Sequence, residues 1–318
     1  MSRFFITGIA GFIGSNLARA LRAQGHEVSG VDDLSTGKRE NLHGLDIAWK
    51  TASILDADAL AQAMRGAEFL LHQAAIPSVP KSVAAPLPSH DANITGTLNV
   101  LIAARDAGVK RVIYAASSSA YGETPTLPKN EEMAAYPISP YAVQKLAGEQ
   151  YMRSFWKVYG LETVSLRYFN VFGPFQDASS QYSGVMAQFI SKMLAGEQPS
   201  IFGDGEQSRD FTYIDNVVDA NLKACTAPAA KVAGEVFNAA CGGQVTVNRL
   251  FAECARLTGY SGKPRYLPAR TGDILHSYAD ITKATRAFGY HPTVSFEDGL
   301  RRTVDWYRAA HEKAASHL

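Results

Sequence analysis

Cysteine is scarce in this 318-residue chain: there are three, Cys225, Cys241 and Cys254. The number is odd and no CxxC spacing occurs, which excludes a disulfide framework or a zinc ribbon and leaves reduced thiols in or near a core. Charge of one sign is lacking as well. The 31 Lys and Arg nearly balance the 30 Asp and Glu, a net +1, so there is no electrostatic case for nucleic acid or an anionic membrane. The 8 histidines form no HxxxH or HExxH pair, which argues against a metal. No apolar run reaches the roughly 20 residues of a membrane span. Residues 4–14 behind Arg3 could pass for a short signal peptide, but Asn16 and Arg19 interrupt the run and a strand–loop–helix fits better. The cytoplasm is the expected location. Internal repeats and low-complexity linkers are absent, and the length suits one large α/β unit or two coupled domains.

What is present begins with Arg3–Thr7, a short apolar strand, followed by the loop Gly8-Ile9-Ala10-Gly11-Phe12-Ile13-Gly14. Residues 15–24 read as a helix and 26–31 as a second strand, tipped by Asp32. Such a loop brings backbone N–H groups and a helix N-terminus against a pyrophosphate. The spacing is GxxGxxG, so the glycines alone also fit a tight turn in an ordinary βαβ unit. Asp32, eighteen residues beyond Gly14, strengthens the nucleotide reading. A carboxylate there accepts from ribose hydroxyls and repels a 2′-phosphate, favouring NAD over NADP. Lys38 and Arg39 read as solvated surface.

Residues 68–72 form a buried strand leading into Gln73-Ala74-Ala75, small residues that let a cofactor lie close. His72 reads as a satisfied core histidine without a catalytic role. A helix over 93–107 and a strand over 111–116 follow, the strand delivering Ser117-Ser118-Ser119 at the edge where open parallel sheets bind ligands. Then comes the stretch around which the chain is organised. Ser139 is an N-cap, Pro140 suits the first helical turn, and the helix runs to Tyr159 before Gly160 closes it. Tyr141 and Lys145 are therefore i and i+4 neighbours on one face. An ammonium beside a phenol favours phenolate, which makes a tyrosine a general base.

After a strand over 163–167 the regular alternation ends near Tyr168-Phe169-Asn170. Asp215 is expected to cap a helix reaching Thr226, residues 236–240 to return to the main sheet, and residues 309–318 to fray. The expected fold is α/β: a Rossmann-type doubly wound parallel sheet with a smaller, interleaved C-terminal substrate-binding domain. Residues 1–170, with returning pieces near 209–226 and 235–241, form the NAD-binding part, and 171–318 mainly the substrate part.

In order, Thr7-Gly8-x-x-Gly11-Phe12-Ile13-Gly14, Asp32-Asp33-Leu34-Ser35-Thr36-Gly37, Ser117-Ser118-Ser119-Ala120-Tyr121-Gly122, Tyr141-x-x-x-Lys145, Arg167-Tyr168-Phe169-Asn170 and Gly203-Asp204-Gly205-x-x-x-Arg209-Asp210-Phe211 span nearly the whole chain. With these motifs the sequence resembles the extended short-chain dehydrogenase/reductase family, in particular its UDP-sugar 4-epimerases. The resemblance implies that Tyr141 is the base, Lys145 its modulator and a ribose ligand, and Ser117 the hydroxyl holding the reacting sugar oxygen. It implies NAD contacts from Gly8, Gly11, Phe12, Ile13, Gly14, Asp32, Asp33, Ser35, Thr36 and Gly37. Ser53, Ile54, Ala74, Ala75, Asn93 and Tyr168 join them, with Ser53 departing from the acid often found before Ile54. Asn170, Arg209, Arg270 and Asp273 fall on positions that hold UDP, where guanidinium groups suit a diphosphate. The implied reaction removes the proton of the C4 hydroxyl while C4 passes hydride to NAD⁺, turns the 4-keto sugar over and re-reduces it, with no net redox change.

Within that family, dehydratases and decarboxylases place carboxylates just after the serine; here the positions are Ser118 and Ser119, which favours epimerisation. A late gating position falls on small Ser277, permitting an N-acetyl group at C2, and Ser78, Ser118 and Gln176 fall where an acetamido group would be touched. Ser119 also faces the expected substrate. A UDP-uronate remains an alternative through Lys81, as do a net dehydrogenase and an NAD-binding sensor without catalysis. The resemblance also implies a homodimer in which helices starting near Asn93 and Pro140 build a four-helix bundle.

Overall fold

Six short strands pair in parallel: β1 (Arg3–Thr7), β2 (Glu27–Asp32), β3 (Ala48–Thr51), β4 (Phe69–His72), β5 (Arg111–Ser117) and β6 (Glu162–Tyr168). The strand Glu235–Ala239 joins them as the seventh, in parallel beside β6. The computed structural model describes residues 1–178, 184–269 and 275–315. Across the sheet the order is Glu235–Ala239, β6, β5, β4, β1, β2, β3. The chain therefore winds outward one way from β1 and the other way from β4, and a doubly wound sheet binds ligands at that switch point, beyond the carboxyl ends of its strands.

The period of two along each strand sends side chains to opposite layers. Phe4 and Ile6 enter one apolar core and Phe5 the other; Leu71 and Ile113 share the first, Leu70 and Val112 the second. Helices cover both layers. Arg111, at the start of β5, fastens one of them: its Nη1 donates to the carbonyl oxygens of Ala224, Cys225 and Ala227 at 2.7, 2.9 and 2.7 Å. These are end carbonyls of the helix Ile214–Thr226, where a cation complements the helix dipole. Cys225 and Cys254 are buried, Cys241 half-buried, and all three are free thiols.

Several boundaries differ from the sequence expectation. The first helix is Phe12–Ala23, three residues earlier than expected, because Gly11 already adopts the extended cap conformation. The helical run expected from residue 93 starts at Pro86, passes through a π-helical turn at Asp91–Thr95 and continues as Gly96–Asp106. Prolines in a first turn lack only an N–H that has no helical partner there, so they open this helix instead of preventing it. Asp215 lies inside the first turn of its helix, and the cap is Tyr213. The last helix, Phe296–Ala315, continues well into the stretch expected to fray. Two elements carried no clear sequence signal: β3, a largely exposed edge strand, and the short helix Ala57–Ala63, capped by the Asp56 side chain on the Ala59 N–H at 2.9 Å.

Candidate active site

A cleft of about 1520 Å³ opens across the switch point, lined from the carboxyl ends of β1, β2, β4, β5 and β6. Its floor is the glycine loop. Gly8 has φ +70°, and a Cβ there would come within 2.8 Å of the Ala74 amide nitrogen; one on Gly14 would come within 2.1 Å of the Gly8 carbonyl oxygen. Only glycine permits this packing of loop, helix start and β4. The Phe12–Ala23 helix begins at Gly11 with no side chain capping its first amides and no acid in its first turn. Backbone donors and the positive end of the helix dipole are left to an anion.

Asp32 completes this end. Its Oδ2 accepts the Ala10 N–H at 2.9 Å and its Oδ1 the Leu34 N–H at 2.8 Å. Burial pushes its carboxyl above the usual range, while those amide donors draw it down. Gly37 packs directly on it, since a Cβ there would lie 2.6 Å from Oδ1. Asp33 accepts from the Ser35 N–H and hydroxyl at 2.9 and 2.6 Å, shaping the loop that carries Thr36. Ser53, Ile54, Ala74, Ala75 and Tyr168 line the same cleft. Tyr168 is fixed by Gln73 and Asn221, each 3.2 Å from its hydroxyl, and burial raises its phenol to about 12. Asn93 stands behind the wall: it is 1% exposed, and its side chain bonds both the N–H and the carbonyl of Ile76, so it shapes the loop after Ala75. The uncapped helix start, the glycine packing and the buried acid fit a dinucleotide.

Opposite this floor the helix Pro140–Tyr159 begins as the sequence predicts, with the Ser139 hydroxyl accepting the Ala142 N–H at 3.2 Å and Gly160 closing it in the left-handed region. The Tyr141 N–H donates to Ser82 Oγ at 3.0 Å, tying the helix start to the helix Val79–Ala84. Ser117 ends β5, and its hydroxyl accepts from the Ser119 N–H and hydroxyl at 3.2 and 2.8 Å. Ser117, Tyr141 and Lys145 all line the cleft. The i, i+4 spacing puts Tyr141 and Lys145 on one face at the start of this helix, and the lysine also has a partner in the strand below. Lys145, 3% exposed, donates to the Ala115 carbonyl oxygen at 2.9 Å and lies 5.0 Å from the centre of the Tyr114 ring. The strand carbonyl gives the buried ammonium an acceptor. Burial lowers Lys145 to about 7, opposed by the negative charge of Glu149. Burial also pushes the Tyr141 phenol up, and its interaction with Ser117 draws it down. His72 is a core residue, between the Thr7 and Thr97 hydroxyls at 2.7 and 3.0 Å.

The far wall carries Ser78, Ser118, Ser119, Asn170, Gln176, Arg209 and Ser277. Ser78 is the N-cap of its helix, accepting the Lys81 N–H at 3.2 Å. Asn170 Nδ2 donates to the Asp210 carbonyl at 3.2 Å, and Gln176 Nε2 to the Val171 carbonyl at 3.2 Å. Ser277 pairs beside Arg209 in a small sheet. Arg270 and Asp273 lie outside the described residues.

Two features of the site were not read from the sequence. Lys38 is exposed, as expected, and also pairs with Asp177 at 3.0 Å, linking the loop after β2 to the far wall. The left-handed non-glycine residues among those described are Leu34, Asn170 and Phe175, and all three line the cleft. Such backbone strain collects at functional sites, but no composition signal marks it.

An acid-tipped second strand beside an uncapped helix start, faced by a Ser–Tyr–Lys group, is the arrangement of an extended short-chain dehydrogenase/reductase. A model of the NAD dependent epimerase/dehydratase family matches residues 4–240, and the chain belongs to that family, as an NAD-dependent enzyme of the epimerase type. The UDP-glucose 4-epimerase of Mycolicibacterium smegmatis is 39% identical over 96% of this chain and 98% of its own. Among solved structures, UDP-glucose 4-epimerase of Thermotoga maritima with UDP-glucose superposes with TM-score 0.93 at 40% identity, over 97% of this chain and 99% of that one. UDP-N-acetylglucosamine 4-epimerase of Methanobrevibacter ruminantium, in complex with UDP-N-acetylmuramic acid, gives TM-score 0.92 at 40% identity and the same coverage.

Proposed function

We propose that this enzyme interconverts C4 epimers of UDP-hexoses: UDP-glucose with UDP-galactose, and UDP-N-acetylglucosamine with its C4 epimer. The observation that carries the reading is the chemistry facing Tyr141. Ser117, Ser118 and Ser119 line the cleft as hydroxyls where elimination or decarboxylation would call for a carboxylate. The relatives' substrates support the UDP-hexose class, and small Ser277 on the far wall supports room for a C2 acetamido group.

Tyr141 takes the proton of the C4 hydroxyl and later returns it, while Ser117 holds the same oxygen by hydrogen bonding. When bound, NAD⁺ would supply the acceptor and donor of the C4 hydride, and its positive charge would favour the phenolate of Tyr141, which burial otherwise keeps protonated. The glycine loop, the first amides of the Phe12–Ala23 helix and Asp32 hold the dinucleotide, with Lys145 on its ribose. Asn170 and Arg209 hold the UDP. Residues 1–170, with the pieces near 209–226 and 235–241, serve the cofactor, and 171–318 mainly the sugar nucleotide. A homodimer through the helices Pro86–Asp106 and Pro140–Tyr159 is supported by their exposed apolar residues, Leu87 at 73% and Val143 at 49% exposure. Among the described residues no helix is long and apolar enough to cross a membrane.

A second reading, a UDP-uronate substrate, is favoured by Lys81, which lines the cleft and could face a C6 carboxylate. Both readings meet in one experiment. Purified enzyme is incubated without added NAD, separately with UDP-N-acetylglucosamine, UDP-glucose and UDP-glucuronate, and the sugar protons are followed by NMR. Conversion of either of the first two, abolished by Tyr141→Phe, supports the proposal. Conversion of UDP-glucuronate alone transfers it to the second reading. No turnover even with NAD⁺ added would overturn both.

A further inference from the structure

Three residues assigned above to the sugar-nucleotide wall come from distant parts of the chain: Asn170 after β6, Arg209 in a two-residue strand, and Ser277 near the end of the fold. All three meet at Asp210. Its N–H donates to the Ser277 carbonyl at 2.9 Å, its carbonyl accepts the Asn170 Nδ2 at 3.2 Å, and Arg209 precedes it in the chain. The Asp210 side chain points away from the cleft, into a ring of backbone donors. Oδ1 accepts the Cys241 N–H at 2.9 Å, and Oδ2 accepts the Gly242 and Ala279 N–H groups at 2.8 and 3.3 Å.

We infer that Asp210 is a positioning residue for substrate: its carboxylate locks the Asn170, Arg209 and Ser277 segments to the turn that leaves the edge strand of the main sheet. The inference rests on the reading that this wall holds UDP. The argument is one of cost. Asp210 is 1% exposed, and no Lys, Arg or His side chain among the described residues forms an ion pair with it. An isolated buried carboxylate is expensive and persists where several N–H groups are aimed at it. Burial raises it to about 6, opposed by its backbone donors. An apolar residue would fill the same space without that cost, but it could not hold the Cys241–Gly242 and Ala279 segments by hydrogen bonds. The Cys241–Gly242 segment lies one residue beyond the strand Glu235–Ala239, so the reference frame is the main sheet itself. Asp210 touches no reacting atom.

The test is Asp210→Asn, which turns an NH₂ toward amides that need an acceptor. Expected are a KM for the UDP-sugar raised at least tenfold, calorimetric affinity for UDP reduced in the same proportion, kcat within about threefold, and unchanged NAD content. An unchanged KM and UDP affinity, with a lowered melting temperature, would show that Asp210 is merely structural and overturn the inference. So would a fall in kcat at constant KM. If that variant does not fold, Gly242→Ala carries the same test more gently. Gly242 has φ +76°, and a Cβ there would meet the Ala279 oxygen at an ordinary contact distance of 3.6 Å, so the substitution strains one donor of the ring without entering the cleft. A KM raised severalfold with kcat and NAD content unchanged supports the inference, and an unaltered KM refutes it. If the wild-type enzyme binds no UDP and converts no UDP-sugar, the functional reading fails instead.

Discussion

Lys145 Nζ donates to the carbonyl oxygen of Ala115 at 2.9 Å, so the lysine of the Tyr–Lys pair is bound to the strand below the helix that carries it. The cost of that burial is readable as a pH dependence. Folding lowers Lys145 from 10.5 to about 7. Between those values the unfolded chain binds a proton that the folded one does not, so the Lys145 contribution to stability rises with pH from 7 upward. The stability difference between the wild type and Lys145→Met, measured by urea unfolding at pH 7, 8 and 9, should therefore grow in favour of the wild type, by at most about 1.4 kcal/mol per pH unit. A flat difference would mean that the folded lysine stays charged.

His72 gives the matching effect on the acid side. It sits neutral between Thr7 and Thr97, and burial, aided by the positive Lys145, lowers it from 6.5 to about 3. As pH falls through 6.5 the unfolded chain gains a proton first, and stability declines until about pH 3. His72→Gln should cost roughly 1–3 kcal/mol at pH 7 through imperfect hydrogen bonding. Its melting temperature should nevertheless fall less steeply than the wild type's between pH 6.5 and 4.5.

Asp32 uses both oxygens on the backbone of the loops beside the glycine floor of the cleft. Asp32→Asn sets an amide N–H₂ against one of those donors and removes the charge. NAD affinity should fall by about 10- to 100-fold, in line with a lost charged hydrogen bond. The preference for NAD over NADP should narrow, because the repulsion of a 2′-phosphate goes with the charge. Fluorescence titration with NADH and NADPH reads both.

Arg111 is 2% exposed, pairs with Glu162 and holds three carbonyls at the end of the helix Ile214–Thr226. Arg111→Met leaves those acceptors and the Glu162 carboxylate without their cation. The variant should lose about 3–5 kcal/mol of stability, measured by denaturant unfolding. Below its melting temperature its KM should be unchanged, because the residue lies at the amino end of β5, opposite the cleft.

Where the sequence was legible, the signals were local or periodic. The helix from Pro140 to Tyr159 carries its start in Ser139 and Pro140 and its stop in Gly160. The glycine loop and the acid at Asp32 were legible because their spacing is that of one strand–helix–strand unit. The start of the helix from Pro86 was not legible, because the residues before 93 carry prolines in its first turn and only packing shows that the helix opens there. Strand β3 was missed because an edge strand buries little and so needs no apolar pattern.

The sequence by itself determined the βα alternation, the acid at the tip of β2 and the placing of Tyr141 and Lys145 on one helical turn. These follow from backbone dihedral preferences and from residues within a few positions of each other. Tertiary structure alone decided that Lys145 bonds Ala115, that Lys38 reaches Asp177 139 residues away, and that Asp210 gathers Asn170 and Ser277. Each of those is a choice of partner for a charged or polar group. It depends on which distant segment the packed core brings near, and a buried group takes the partner that packing supplies.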